Sequence, residues 1–89
     1  MSERLADLRL QIDEADGRIL ALVNERLRLV EALWRLKSEL GIERVDLGRE
    51  QEIRDGLRAA NVGPLTDAGV DELIAELLAL TKREQRRRD

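Results

Sequence analysis

LALVNERLRLVEAL, residues 20–33, carries aliphatic side chains at helical spacing, with an arginine where the pattern asks for another leucine. Followed outward in alternating steps of three and four, the stripe runs through Leu5, Leu8, Ile12, Ala15, Ile19, Leu22, Arg26, Leu29, Leu33, Leu36 and Leu40. Ten of these eleven positions are apolar, which predicts one amphipathic helix reaching to about Leu40. Ser2 is its expected N-cap and Gly41 its left-handed stop. Gly17 is the one weak point inside it, and no proline interrupts it.

Its length has an architectural consequence. A helix over residues 3–39 is about 55 Å long, whereas a compact globule of this size is only about 30 Å across. The apolar stripe runs the whole way, so a monomer would leave much of it in water. Two such helices side by side, with the shorter helices packed over them, would bury both stripes. The expected fold class is therefore all-α, three helices per protomer, one long and two shorter, in an intertwined helical homodimer.

Composition agrees. The 89 residues are 43% hydrophobic and 39% charged, with Trp34 the lone aromatic, so one domain spanning 1–89 with an aliphatic helical core is expected. Sixteen basic and nineteen acidic side chains give a net charge of −3, which argues against a general nucleic-acid or membrane-surface binder. The sequence contains no cysteine and no histidine, which removes disulfides, thiolate nucleophiles, the usual general base and the commonest metal ligand. With no signal-peptide pattern and no apolar run of membrane length, a cytoplasmic location is the expectation.

The second helix is expected from Leu47 to Ala60, capped by Asp46, with Glu50, Ile53, Leu57 and Ala60 facing inward. NVGPL, residues 61–65, is a turn because Gly63 and Pro64 are poor helix residues. Thr66 should cap a third helix reaching about Arg87, with Val70, Ile74, Leu77, Thr81 and Gln85 inward. Arg28, Arg35 and Arg58 look like solvated face, and KREQRRR, residues 82–88, suits the negative end of the last helix dipole.

Polar residues on these inner faces are the functional signal. A second apolar stripe on the first helix, through Leu20, Val23, Leu27, Val30 and Trp34, ends at Lys37. Arg26 and Lys37 lie about 16 Å apart along the helix and about 20° apart around it, so two long side chains could converge on one small molecule. Glu50, Thr81 and Gln85 add three more polar groups. An unpaired buried charge costs several kcal/mol, so all five need partners. Two readings follow: structural pairing, such as Arg26 with Glu50, or a site for a small dianion, for which cations, an amide and a hydroxyl are the fitting composition.

LRLQIDEADGRILALVNERLRLV at 8–30, Lys37, VDLGRE at 45–50 and TKREQ at 81–85 together resemble the all-helical (type II) chorismate mutase family. The NVGPL turn is similar to mutase domains fused to DAHP synthase. The resemblance covers nearly the whole chain and implies an intertwined dimer that converts chorismate to prephenate in aromatic amino-acid biosynthesis, with no cofactor. It implies that Arg9 and Arg26 bind the substrate carboxylates and that Lys37 lies near a carboxylate and the ether oxygen. Gln85 would be the second donor to that oxygen, while Glu50 and the backbone at Asp46 would hold the C4 hydroxyl. Arg49 and Thr81 would complete the carboxylate-binding wall, Thr81 standing where many members have serine.

Helix geometry adds a constraint. Arg9 and Arg26 are about 25 Å apart on one straight helix, so they cannot both reach one small substrate from the same chain. If both serve a site, Arg9 comes from the partner protomer and the dimer carries two shared sites. The missing histidine and cysteine fit an intramolecular pericyclic reaction, which needs no nucleophile or proton shuttle. Two related functions remain open on this fold. An isochorismate pyruvate lyase would also take a dianionic enolpyruvyl ether, although Glu50 suits the C4 hydroxyl of chorismate. A regulatory domain sensing chorismate or prephenate beside a DAHP synthase, as fusion or partner, is the other.

Overall fold

Helical periodicity, caps and stops place three helices in a computed structural model of the chain: α1 (Ser2–Leu40), α2 (Leu47–Ala60) and α3 (Asp67–Arg88). The structure describes residues 2–44 and 46–88, except for the side chain of Leu47; Val45, within the VDLGRE stretch, lies outside the described residues. Among the described residues no strand occurs and no helix is long and apolar enough to cross a membrane. The chain divides into two units, Met1–Ile42 and Glu43–Asp89.

The first unit is essentially α1, 39 residues and about 58 Å long. It passes through Gly17 without interruption, so the glycine does not break it. Ser2, expected as the cap, lies within the helix. The C-terminus closes as a Schellman motif: Ile42 N–H donates to the Lys37 carbonyl at 2.8 Å and Gly41 N–H to the Ser38 carbonyl at 3.2 Å. That geometry requires the left-handed φ of +71° at Gly41, which a Cβ would strain.

No residue of α1 is buried in the single chain. The large apolar members of the first stripe are all exposed, from 43% at Leu8 to 64% at Leu29. Covering such a side chain stabilises by about 1.5–3 kcal/mol. The second stripe differs: Val23, Leu27, Val30, Trp34 and its polar continuation Lys37 are half-buried, whereas Leu20 is exposed.

The second unit is an α2–α3 hairpin. Asp46 caps α2 as expected, its Oδ1 accepting from Arg49 N–H at 3.0 Å. Thr66 caps α3: its Oγ1 accepts from Gly69 N–H at 3.0 Å and its carbonyl from Val70 N–H at 2.9 Å. The turn between them is organised by Asn61, a role the Gly-Pro signal does not reveal. Its Nδ2 donates to the Leu65 carbonyl at 2.7 Å and its Oδ1 accepts from Gly63 N–H at 3.1 Å, while Gly63 takes φ +84° before a cis bond to Pro64.

Val70 and Ile74 are buried, with Leu77 half-buried, so the inner stripe of α3 is as expected. The stripe of α2 is not: Ile53 is half-buried, but Leu57, at 41% exposure, and Ala60 are exposed. Helical spacing defines a face; how far along it a neighbour covers depends on how the two helices cross.

Arg58, expected as solvated face, instead ties the helices together. Its Nε and Nη2 donate to Oδ1 and Oδ2 of Asp71 at 2.9 and 2.5 Å, a fork that spans the hairpin near its turn. The hydrogen bond from Arg58 holds the Asp71 carboxyl below its ordinary value of 3.8. Folding therefore favours the carboxylate, so this contribution is present above pH 3.8 and is lost as the pH falls through the lower folded-state value. Asp71→Asn should lower the urea midpoint modestly at about pH 7, with the gap to wild type narrower at a pH well below 3.8. Equal gaps at the two pH values would show that the fork does not contribute through ionisation.

Candidate active site

Each residue expected to act on substrate has a definite place. In the first unit, Arg9 is exposed on α1, and Arg26 and Lys37 are half-buried on the same helix. Because α1 is one continuous helix between Arg9 and Arg26, they lie about 25 Å apart along its axis. The eleven residues from Arg26 to Lys37 make three helical turns, which returns both side chains to nearly the same face.

In the second unit, capping assembles one cluster. Asp46 precedes α2, Arg49 and Glu50 lie in its first turn, and the Glu50 N–H donates to the Asp46 carbonyl at 3.2 Å. Arg49 turns its guanidinium along its own helix, with Nη1 3.2 Å from Glu52 Oε2. Both partners are well exposed, so this pair is weak and leaves the guanidinium able to swing to a stronger acceptor.

Glu50 is set differently. Its side chain is only 22% exposed, and Oε1 lies 3.6 Å from Nζ of Lys82 on α3. The pairing of 50 with 82 and of 58 with 71 shows that α2 and α3 run antiparallel, which brings the first turn of α2 beside the segment of α3 that carries Thr81 and Gln85. Charge patterning alone assigns Lys82 only to the helix dipole; its position directly after Thr81 is the sequence signal that could have placed it here.

Thr81 is buried and Gln85 half-buried, as the inner stripe of α3 requires. The Thr81 hydroxyl donates to the Leu77 carbonyl at 2.7 Å, the local bond by which threonine satisfies itself inside a helix. To donate to a ligand carboxylate, Oγ1 must exchange that bond.

The polar set thus comprises half-buried cations on an aliphatic α1, and a half-buried carboxylate, a buried hydroxyl and a half-buried amide on α2 and α3. A model of the chorismate mutase type II family matches residues 8–86, a span that contains all of them. The chain belongs to that family. Among similar proteins is the chorismate mutase of Methanocaldococcus jannaschii, 43% identical over 58 residues, which are 65% of this chain and 59% of that protein. The match therefore spans less than two thirds of that relative's length.

Two solved structures of chorismate mutase from Thermus thermophilus are also similar. Form I is 37% identical with a TM-score of 0.84, covering 88% of this chain and 98% of that one. Form II is 36% identical with a TM-score of 0.87, covering 97% and 98%. The fold of this chain, three helices among the described residues, is thus shared with these two Thermus structures over 98% of their length.

Proposed function

We propose that this chain is a chorismate mutase, converting chorismate to prephenate by an intramolecular pericyclic rearrangement. The observation that carries the proposal is the polar set Arg26, Lys37, Glu50, Thr81 and Gln85, at buried or half-buried positions in a chain of this family. In the reaction an ether C–O bond breaks as a C–C bond forms, with no co-reactant. The protein's task is to hold a folded conformer and to stabilise negative charge growing on the ether oxygen.

Arg26 and the partner protomer's copy of Arg9 would hold the two carboxylates, with Arg49 and Thr81 completing that wall. Fixing both ends of a flexible dianion preorganises the reacting carbons. Lys37 and Gln85 would donate to the ether oxygen, and a well-placed donor of this kind contributes about 3–4 kcal/mol. Glu50 and the backbone at Asp46 would accept and steady the C4 hydroxyl. No step calls for a metal or organic cofactor.

The homodimer belongs to the same proposal. Its support is the exposed first stripe of α1, whose leucines and isoleucines are 43–64% exposed in the single chain. Light scattering at micromolar concentration should give about twice the chain mass of 10.2 kDa. A folded species of single-chain mass would remove the shared-site arrangement.

The activity is tested by adding purified protein to chorismate and, separately, to isochorismate, following the loss of substrate absorbance and separating the products. Prephenate supports the mutase; pyruvate with salicylate from isochorismate would support the lyase, a reading that the half-buried Glu50 disfavours. Consumption of neither would remove both. A relationship to domains that work with DAHP synthase, fused or separate, rests on the 61–65 turn, where Val62 is 98% exposed and Leu65 46%.

A further inference from the structure

We propose that Lys82 is a positioning residue for Glu50: its ammonium orients the carboxylate and offsets the repulsion that this carboxylate would exert on an incoming dianion. The inference rests on the chorismate reading above and adds to it a residue outside the assigned polar set.

Geometry carries it. Lys82 reaches from α3 to Glu50 on α2 at 3.6 Å, whereas Arg83 pairs with Glu76 and Arg87 with Glu84, both within α3. On α3, Lys82 lies about 60° around the helix from Gln85 and about 100° from Thr81, so it stands beside both assigned positions. The separation is longer than the 2.7–2.9 Å typical of a charge-assisted hydrogen bond. The contact is thus electrostatic, and both Glu50 oxygens keep acceptor capacity for a hydroxyl. The side chains are unequally covered, Glu50 22% exposed and Lys82 57%, so the carboxylate is held in the fold while the ammonium approaches from the solvent side.

A carboxylate is an unusual group to aim at a dianionic substrate. It is useful for one hydroxyl and unfavourable for two carboxylates. A flexible cation beside it leaves the hydroxyl interaction intact and cancels much of the long-range repulsion, which is a binding effect more than an effect on bond breaking.

The test is a double-mutant cycle in the full chain: Lys82→Met, Glu50→Gln and the two combined, with Lys82→Arg as the conservative variant, each assayed for kcat and KM on chorismate. Lys82→Met should raise KM about 5- to 20-fold and change kcat by less than about threefold, and Lys82→Arg should stay within about twofold of wild type. In the Glu50→Gln background the same Lys82→Met change should move KM by less than about twofold, since its target charge is already gone. An equal rise in KM in both backgrounds, or no rise in either, overturns the inference while leaving the mutase reading in place. Wild-type protein that does not consume chorismate overturns both. Should Lys82→Met fail to fold, Lys82→Gln removes the same charge and carries the same expectation.

Discussion

Arg9→Ala and Arg26→Ala proteins, each nearly inactive alone, should recover about one quarter of wild-type activity per total protein when unfolded together in equal amounts and refolded. Random reassortment makes about half of the dimers mixed, and each mixed dimer carries one site with both lesions and one with neither. The expectation depends on α1 running unbroken from Ser2 to Leu40, which keeps Arg9 and Arg26 about 25 Å apart within one chain. A small dianion cannot span that distance, so if both arginines serve one site, one of them comes from the partner. Mass spectrometry of the refolded sample establishes the heterodimer fraction. Heterodimers without recovered activity would mean that Arg9 does not serve the site from the partner.

The largest loss from a single position is expected at Lys37. Lys37→Met should reduce kcat by roughly 10²- to 10³-fold, the range found when one preorganised donor to a developing oxyanion is removed. KM should change far less, because charge on the ether oxygen grows only as the bond breaks, and an interaction made in the transition state is lost from kcat. Lys37 is half-buried, and its carbonyl accepts the Ile42 N–H that closes α1. The substitution leaves this backbone bond in place and keeps an unbranched apolar stem, so the helix content measured by circular dichroism should match wild type. A kcat within about tenfold of wild type, with KM raised instead, would reassign Lys37 from the ether oxygen to carboxylate binding.

The helices are readable because their signals are local. A stripe at 3.6-residue spacing, aspartate and threonine caps, and a glycine in left-handed geometry act within a few residues of one another. Asp46, Thr66 and Gly41 therefore stand where their chemistry requires. The inner face of α3 is equally plain, because Val70, Ile74 and Thr81 are enclosed as their spacing implies. Polar residues on those faces are conspicuous for the same reason: Arg26, Lys37, Glu50 and Gln85 violate a pattern their neighbours obey.

Contacts between helices are another matter. Arg58 carries no sign of its fork to Asp71, thirteen residues away across the turn, and Lys82 is indistinguishable from the other cations of the 82–88 run. Leu57 fits the inner stripe of α2 yet is exposed. In each case the outcome depends on where α2 crosses α3, which is set by the turn that Asn61 organises and by packing around Val70 and Ile74. Backbone hydrogen bonding and side-chain periodicity act over a turn or two, so the helices, their caps and the polar residues set into their apolar faces are all written in the linear chain. Which acid meets which base, and which leucines stay exposed, is settled by the crossing and axial register of packed helices, and no local spacing encodes either.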